Sequence, residues 1–120
     1  MTRAAEPTGE QPVTRQVVLD VTLPQVRPTA RVEVREIRIR AGQAAGLHVH
    51  NGPVFGSVVT GSVVYQIEGG EARTLRPGEV FYEPEATRIA RFDATEEGVT
   101  FLAYYLLDQD ELAELTFPEA

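Results

Sequence analysis

The sequence predicts an all-β fold, and three observations carry that expectation. Apolar residues alternate with polar ones over runs of a few residues. Gly, Pro and Asn punctuate those runs at short intervals. Helical spacing shows in one short C-terminal segment alone. Many short strands of this kind close into a sandwich or a barrel. With 120 residues, 42% of them apolar, the chain can build one domain around its own core.

Taken in order, residues 1–15 begin as a polar tail, with Pro7, Gly9 and Pro12 among acids and amides, and are expected to be disordered. A single domain is expected over residues 16–120. Val17 to Val21 is a first strand, ended by the loop holding Pro24 and Pro28. Arg31 to Arg40 alternates with a slip of phase: Val32 and Val34 fall on one face, Ile37 and Ile39 on the other. One extra residue near Arg35-Glu36, a β-bulge or a bend between sheets, accounts for the slip. After the loop from Ala41 to Gly46, Leu47 to His50 is a strand and Asn51-Gly52-Pro53 a turn. Val54 to Thr60 follows, with Gly56 marking a close approach by another group. Gly61 turns into Ser62 to Glu68, where Val63, Tyr65 and Ile67 share a face. Gly69-Gly70 supplies a hairpin turn into Ala72 to Leu75. Val80 to Glu83 runs up to Pro84, and Arg88 to Phe92 and Val99 to Leu107 complete the strands. Asp108 to Leu115, with an acidic start and Leu112 and Leu115 three apart, reads as a short helical turn.

Charge and composition exclude several classes of function. Eleven basic against eighteen acidic residues leave a net charge of −7, which disfavours nucleic acid and anionic membrane as partners. No apolar run is long enough to cross a membrane, and the first twelve residues carry no apolar leader, so a cytoplasmic protein is expected. Without cysteine there is no disulfide, thiolate ligand or Cys nucleophile. No phosphate-cradling glycine loop, dinucleotide fingerprint or Ser-His-Asp order is readable.

The chemistry-bearing feature is His48-Val49-His50, the two histidines of the chain. Spaced i, i+2 on a strand, they project from one face and offer half of a metal site. Gly42 stands six residues before His48, and Gly61 closes the run after it. These residues resemble the first motif of the cupin superfamily, G-x5-H-x-H-x3–4-E-x6-G, with Val54 at the Glu position. Downstream, Gly78 and Pro84 match the second motif, G-x5-P-x-G-x2-H-x3-N, while Ala86, Ile89 and Asp93 stand at its Gly, His and Asn positions. The resemblance covers residues 32 to 107. It implies a small antiparallel β-barrel of the cupin or jelly-roll type, with His48 and His50 facing inward near one open end. It also implies a metal held by two His and a Glu of the first motif and a His of the second, and here Val54 and Ile89 cannot ligate.

A third ligand therefore has to come from elsewhere, and Glu83 is the candidate. It shares a face with Phe81, at a position the family fills with barrel-facing apolar residues. A buried carboxylate there calls for a partner or a cation. His48, His50 and Glu83 would form a two-His, one-carboxylate set suited to Fe(II), Mn, Ni or Zn. The competing reading pairs Glu83 with Arg88, Arg91 or Arg40, or sends it to solvent at the rim. Without metal, the imidazoles remain candidate general acids or bases. Glu83 is also a candidate acid or base, and Tyr65, in the inward phase, a candidate donor to a ligand; the alternative for Tyr65 is a core aromatic. Arg31, Arg35, Arg38 and Arg40, interleaved with Glu33 and Glu36, read as a solvated or cross-strand paired face.

Two functions follow from this reading. One is a divalent-metal-dependent enzyme, of oxygenase, isomerase or lyase type, acting on a small molecule in the barrel through His48 and His50. The other is a metal-free cupin, a binding module or a cyclase or isomerase with an apolar pocket, favoured by Val54 and Ile89. A homodimer is expected, from a first strand able to extend a partner's sheet and from outer apolar residues such as Val64.

Overall fold

A computed structural model of the protein describes residues 11–119. Seven strands follow one another: β1 (Arg31–Ile39), β2 (Val49–His50), β3 (Val54–Ile67), β4 (Arg73–Leu75), β5 (Val80–Glu83), β6 (Ile89–Leu107) and β7 (Leu115–Thr116). All pairing is antiparallel. The main sheet runs β1-β6-β3-β4, with β5 also on β3, and β2 and β7 form a separate pair.

The long β3–β6 pair is the spine. Val54–Val58 lies against Tyr105–Phe101, and Val63–Gln66 against Ala94–Arg91, with the register broken between. At the break Gly61 and Gly98 both take positive φ, and a Cβ on Gly61 would lie 1.9 Å from the Gly98 carbonyl oxygen. Only glycine permits that contact. Each strand thus bends from one layer into the other, and the two expected pairs of short strands are fused into β3 and β6.

Alternation along these strands fills the barrel. Val54, Val58, Val63, Tyr65, Phe81, Ile89, Phe92, Phe101 and Ala103 are all buried. The Phe81, Phe92 and Phe101 rings meet at 4.9 to 5.8 Å, centroid to centroid, in tilted or edge-on pairs, each worth about 0.5–1.5 kcal/mol beyond the area it buries. Gly56 is the close approach expected there: a Cβ would meet the Phe81 ring at 2.3 Å and the Leu102 carbonyl oxygen at 2.5 Å.

Three expected features are replaced. Val17 to Val21 forms no strand, and Val17 is 78% exposed. The segment is held downstream instead, where Arg27 donates to the Leu106 carbonyl and pairs with Glu111 and Glu85. The expected bulge near Arg35-Glu36 is absent. β1 pairs with β6 without interruption from Arg31↔Leu107 to Ile39↔Val99, so Glu33 and Arg35 share the inward phase of Ile37 and Ile39. Near the strand's open end that phase accepts charge, because Arg35 pairs with Glu33 and lies over the Tyr105 ring at 4.9 Å. Val32 and Val34 take the outer face. The short C-terminal helical turn is likewise replaced by one turn, closed by Glu111 N–H to Asp108 C=O, before the chain extends into β7. The first ten residues of the expected tail lie outside the described residues, and residues 11–15 are exposed and irregular.

Candidate metal centre

The histidines reach the interior through a short ladder. His48 exchanges both backbone hydrogen bonds with Ile89, at 3.2 and 2.8 Å, which puts Ile89 beside the imidazoles as a buried apolar neighbour. His50 pairs with Leu115 across β2–β7, and its carbonyl accepts from Ala86 N–H. With Val49 turned the other way, both rings face the barrel, centroids 4.9 Å apart and nearly perpendicular.

Glu83 comes from the last position of β5 and is 3% exposed. It faces neither solvent nor an arginine: Arg88 pairs with Glu68, Arg91 with Asp93, and Arg40 is exposed. Its Oε2 lies 3.0 Å from His48 Nε2 and 2.8 Å from His50 Nε2. Ligand-capable atoms of all three residues fall within 4.8 Å of one another.

The protons in this cluster can be counted. His48 Nδ1 lies 2.7 Å from the Gly46 carbonyl oxygen, which can only accept, so Nδ1 carries hydrogen. In neutral His48, Nε2 would then turn a bare lone pair toward a carboxylate oxygen. The contact requires a proton between the two atoms or a cation, and with Glu83 ionised that proton is a second one on His48. Burial alone would pull the His48 pKa down, but the Glu83 and Gly46 hydrogen bonds outweigh it and hold the imidazole above its ordinary value. Burial would push the Glu83 carboxyl up, and the two histidine hydrogen bonds outweigh that, holding it below the ordinary carboxylate value.

Beside the cluster is a cavity of about 210 Å³. Its inner wall is apolar, with Ile37, Ile39, Val54, Phe92, Phe101 and Ala103. Tyr105 lines it too, its ring 6.3 Å from His50, and burial keeps its phenol protonated well past neutral pH. Tyr65 does not line this cavity. Its hydroxyl donates to the Tyr82 carbonyl oxygen, and its ring packs on Phe81 and Phe92. From the sequence Tyr105 reads, with Phe55, Phe81, Phe92 and Phe101, as barrel core or interface, and no local signal singles it out for the cavity. Leu115, also at the cavity, ends the segment expected as a helical turn, and Phe117 lies two residues beyond it.

A family profile described as "Cupin domain" matches residues 35–103. Among curated proteins, none matches the sequence. Among solved structures the fold is similar to an uncharacterized conserved protein with a double-stranded β-helix domain from Klebsiella pneumoniae, at 19% identity and TM-score 0.61, covering 79% of this chain and 81% of that one. It is similar to a cupin-like protein from Thermotoga maritima, at 23% identity and TM-score 0.62, covering 72% and 64%. It is similar also to a DMSP lyase from Ruegeria pomeroyi, at 21% identity and TM-score 0.63, covering 74% of this chain and 45% of the lyase. The chain thus spans less than half the length of that enzyme, and the likeness is one of fold. Since the profile match takes in more than half of the sequence and the barrel has the expected antiparallel architecture, this chain belongs to the cupin family.

Proposed function

We propose that the protein holds a divalent transition metal (Fe(II), Mn, Ni or Zn) on His48, His50 and Glu83, and acts with it on a small molecule in the adjoining cavity. The observation that carries this reading is the convergence of two imidazole Nε2 atoms on one buried carboxylate oxygen, with His48 Nδ1 already committed to Gly46. Two imidazoles and a carboxylate suit these metals. A metal held by these three residues would supply a Lewis acid for a substrate oxygen.

The chain's own residues have definite parts. Gly46 fixes the His48 tautomer and aims Nε2 inward, as a backbone carbonyl does behind a metal-bound histidine. The Tyr65 hydroxyl holds the Tyr82 carbonyl, one peptide from Glu83, and so acts as a positioning residue for that carboxylate. Val54, Phe92, Phe101 and Ala103 exclude water, which strengthens any charge interaction at the cluster. The fold admits oxygenase, isomerase and lyase chemistry and does not choose among them.

A metal-free reading has its own support in the apolar cavity. In it His48 is an imidazolium paired with Glu83, and the pair serves as general acid and base or simply closes one end of a binding site. Elemental analysis of tag-free protein purified without chelator separates the two. Near-stoichiometric metal in the wild type, lost in His48→Ala and in Glu83→Ala, is the expected result. No metal after loading with Fe(II), Mn, Ni and Zn in turn would retire the metal site. We also propose that two copies associate through the outer face around Val34, a point tested by the oligomeric state below.

A further inference from the structure

The cavity beside the cluster has a floor and walls built from strands, but its ceiling comes from a different part of the chain. Leu115 and Phe117, both at its lining, belong to the C-terminal strap that crosses the mouth. The strap is pinned on both sides. Val49↔Thr116 and His50↔Leu115 pair in the β2–β7 ladder. Asn51 donates to the Leu112 carbonyl and accepts from Glu114 N–H, and Arg88 donates to the Glu119 carbonyl. Held so, Leu115 is still 42% exposed and Phe117 68% exposed. An aromatic side chain at the lip of an apolar cavity, fixed in place yet largely wet, gains burial only when something fills the space beneath it.

The lining says what that something is. Among the described residues no lysine or arginine lines the cavity. Arg35, close by over Tyr105, is paired with Glu33. The polar groups available are the His48–His50–Glu83 cluster at one end and the Tyr105 phenol. A charged group placed against Ile37, Ile39, Phe92 or Phe101 would lose its hydration and find no partner. A polar head can be accommodated only at the cluster, with an apolar body behind it. On size, a dry protein cavity of about 150 Å³ accepts one benzene ring, so about 210 Å³ leaves room for a ring with a small substituent.

We propose that this cavity takes an uncharged, mainly apolar molecule of about one substituted ring, and that Phe117 and Leu115, closing over it, set its size limit. This rests on reading the cavity as the ligand site of the proposed function, but not on a metal. The test is calorimetric titration of the full chain, with and without EDTA, using p-cresol, 4-methylbenzoate and the larger 2-naphthol as probes. The expected result is binding of p-cresol, no detectable 4-methylbenzoate binding to the metal-free protein, and weak or no binding of 2-naphthol. Phe117→Ala should weaken p-cresol roughly tenfold and improve 2-naphthol relative to p-cresol. Ala103→Leu, which fills the inner end, should abolish p-cresol binding. The exposed Phe117 can be removed without disturbing the core, and circular dichroism of both variants checks folding.

If metal-free protein binds 4-methylbenzoate as well as p-cresol, the apolar assignment is overturned. If Phe117→Ala leaves both probe affinities unchanged, the ceiling assignment is overturned. The metal reading stands or falls separately, by elemental analysis. Probe binding to protein that never takes metal would retire that reading and support this one, and a metal-loaded protein that binds no p-cresol would do the reverse.

Discussion

Val54 and Glu83 stand directly opposite each other across the β3–β5 pair, and both side chains line the cavity. Val54 occupies the position at which the first cupin motif carries its carboxylate. The carboxylate of this chain therefore reaches the same cluster from the neighbouring strand, one cross-strand partner away. Cross-strand neighbours lie about 5 Å apart at Cβ, close enough for either to reach the imidazoles. Glu83→Val is expected to abolish metal retention, and adding Val54→Glu to it should restore binding to within about tenfold of wild type, the scale on which supporting contacts tune a metal site. Metal per chain, measured after dialysis against a weak chelator, reads the outcome. A double variant as empty as the single one would show that Glu83 acts by its particular position.

The proton count at His48 makes a pH prediction for metal-free protein. Its imidazole is held above 6.5, so its contribution to stability is complete below 6.5 and is lost as pH rises through the raised value. Glu83 is held below 4.5, so its contribution is complete above 4.5 and is lost as pH falls through the lowered value. Thermal unfolding in EDTA should therefore show a plateau between pH 4.5 and 6.5 that declines on both sides. His48→Ala should flatten the alkaline decline. With metal bound the alkaline trend should reverse, because protons compete for the imidazoles.

The sequence carried the barrel and the two histidines because both depend on local rules, alternation by two and HxH spacing on one strand. Glu83 was legible as a candidate third member of the His48–His50 set from its inward phase beside Phe81, but the choice between that set and an arginine partner was not, because the histidines lie 33 and 35 residues away. The misread segments share a cause. In Val17 to Val21 and Asp108 to Leu115, local pattern favours a strand and a helix, but the outcome depends on partners distant in sequence: among the described residues no strand pairs with the first segment, and Asn51 holds Leu112 and Glu114 where the second leads into β7. The phase slip in β1 reads as a bulge because Val32 and Val34 alternate in one phase and Ile37 and Ile39 in the other, whereas the unbroken strand turns Glu33 and Arg35 inward. Their mutual pairing, and the packing of Arg35 on Tyr105, needed three dimensions to see.

Ala86, which follows the Pro84-Glu85 step, is the one non-glycine described residue with positive φ, at 54°. It stands where the second motif of the family has glycine, and its N–H donates to the His50 carbonyl. A left-handed conformation costs an L-residue about 1–2 kcal/mol, while glycine costs about 0.4–1 kcal/mol more in the unfolded chain. Ala86→Gly should thus stabilise the protein by about 0.5–1 kcal/mol, a rise of a few degrees in Tm for a domain of this size. Differential scanning calorimetry measures it. A fall in Tm would mean that the methyl group has packing value that outweighs its strain.

On the outer face, Val34, Tyr104, Phe55 and Tyr82 form one row across four strands, each opposite the next in register. Phe55 and Tyr82 stack at 5.2 Å, and Val32 and Val34, at the β1 edge of the sheet, are 58% and 50% exposed. A row of this kind on an antiparallel sheet is the face that normally carries polar residues. A second copy laid across it would bury the valines and the aromatic row together, and among the described residues β1 pairs on one side only, leaving an edge of nine residues at which such a contact can begin. Val34→Asp places an unpaired carboxylate in that contact and should weaken association by about tenfold or more, while leaving the inward-facing metal cluster untouched. Light scattering at tens of micromolar is expected to give a dimer for the wild type and a monomer for Val34→Asp, with equal metal content in both. A monomeric wild type would mean that the row stays wet in solution and that some other chain, or none, covers it.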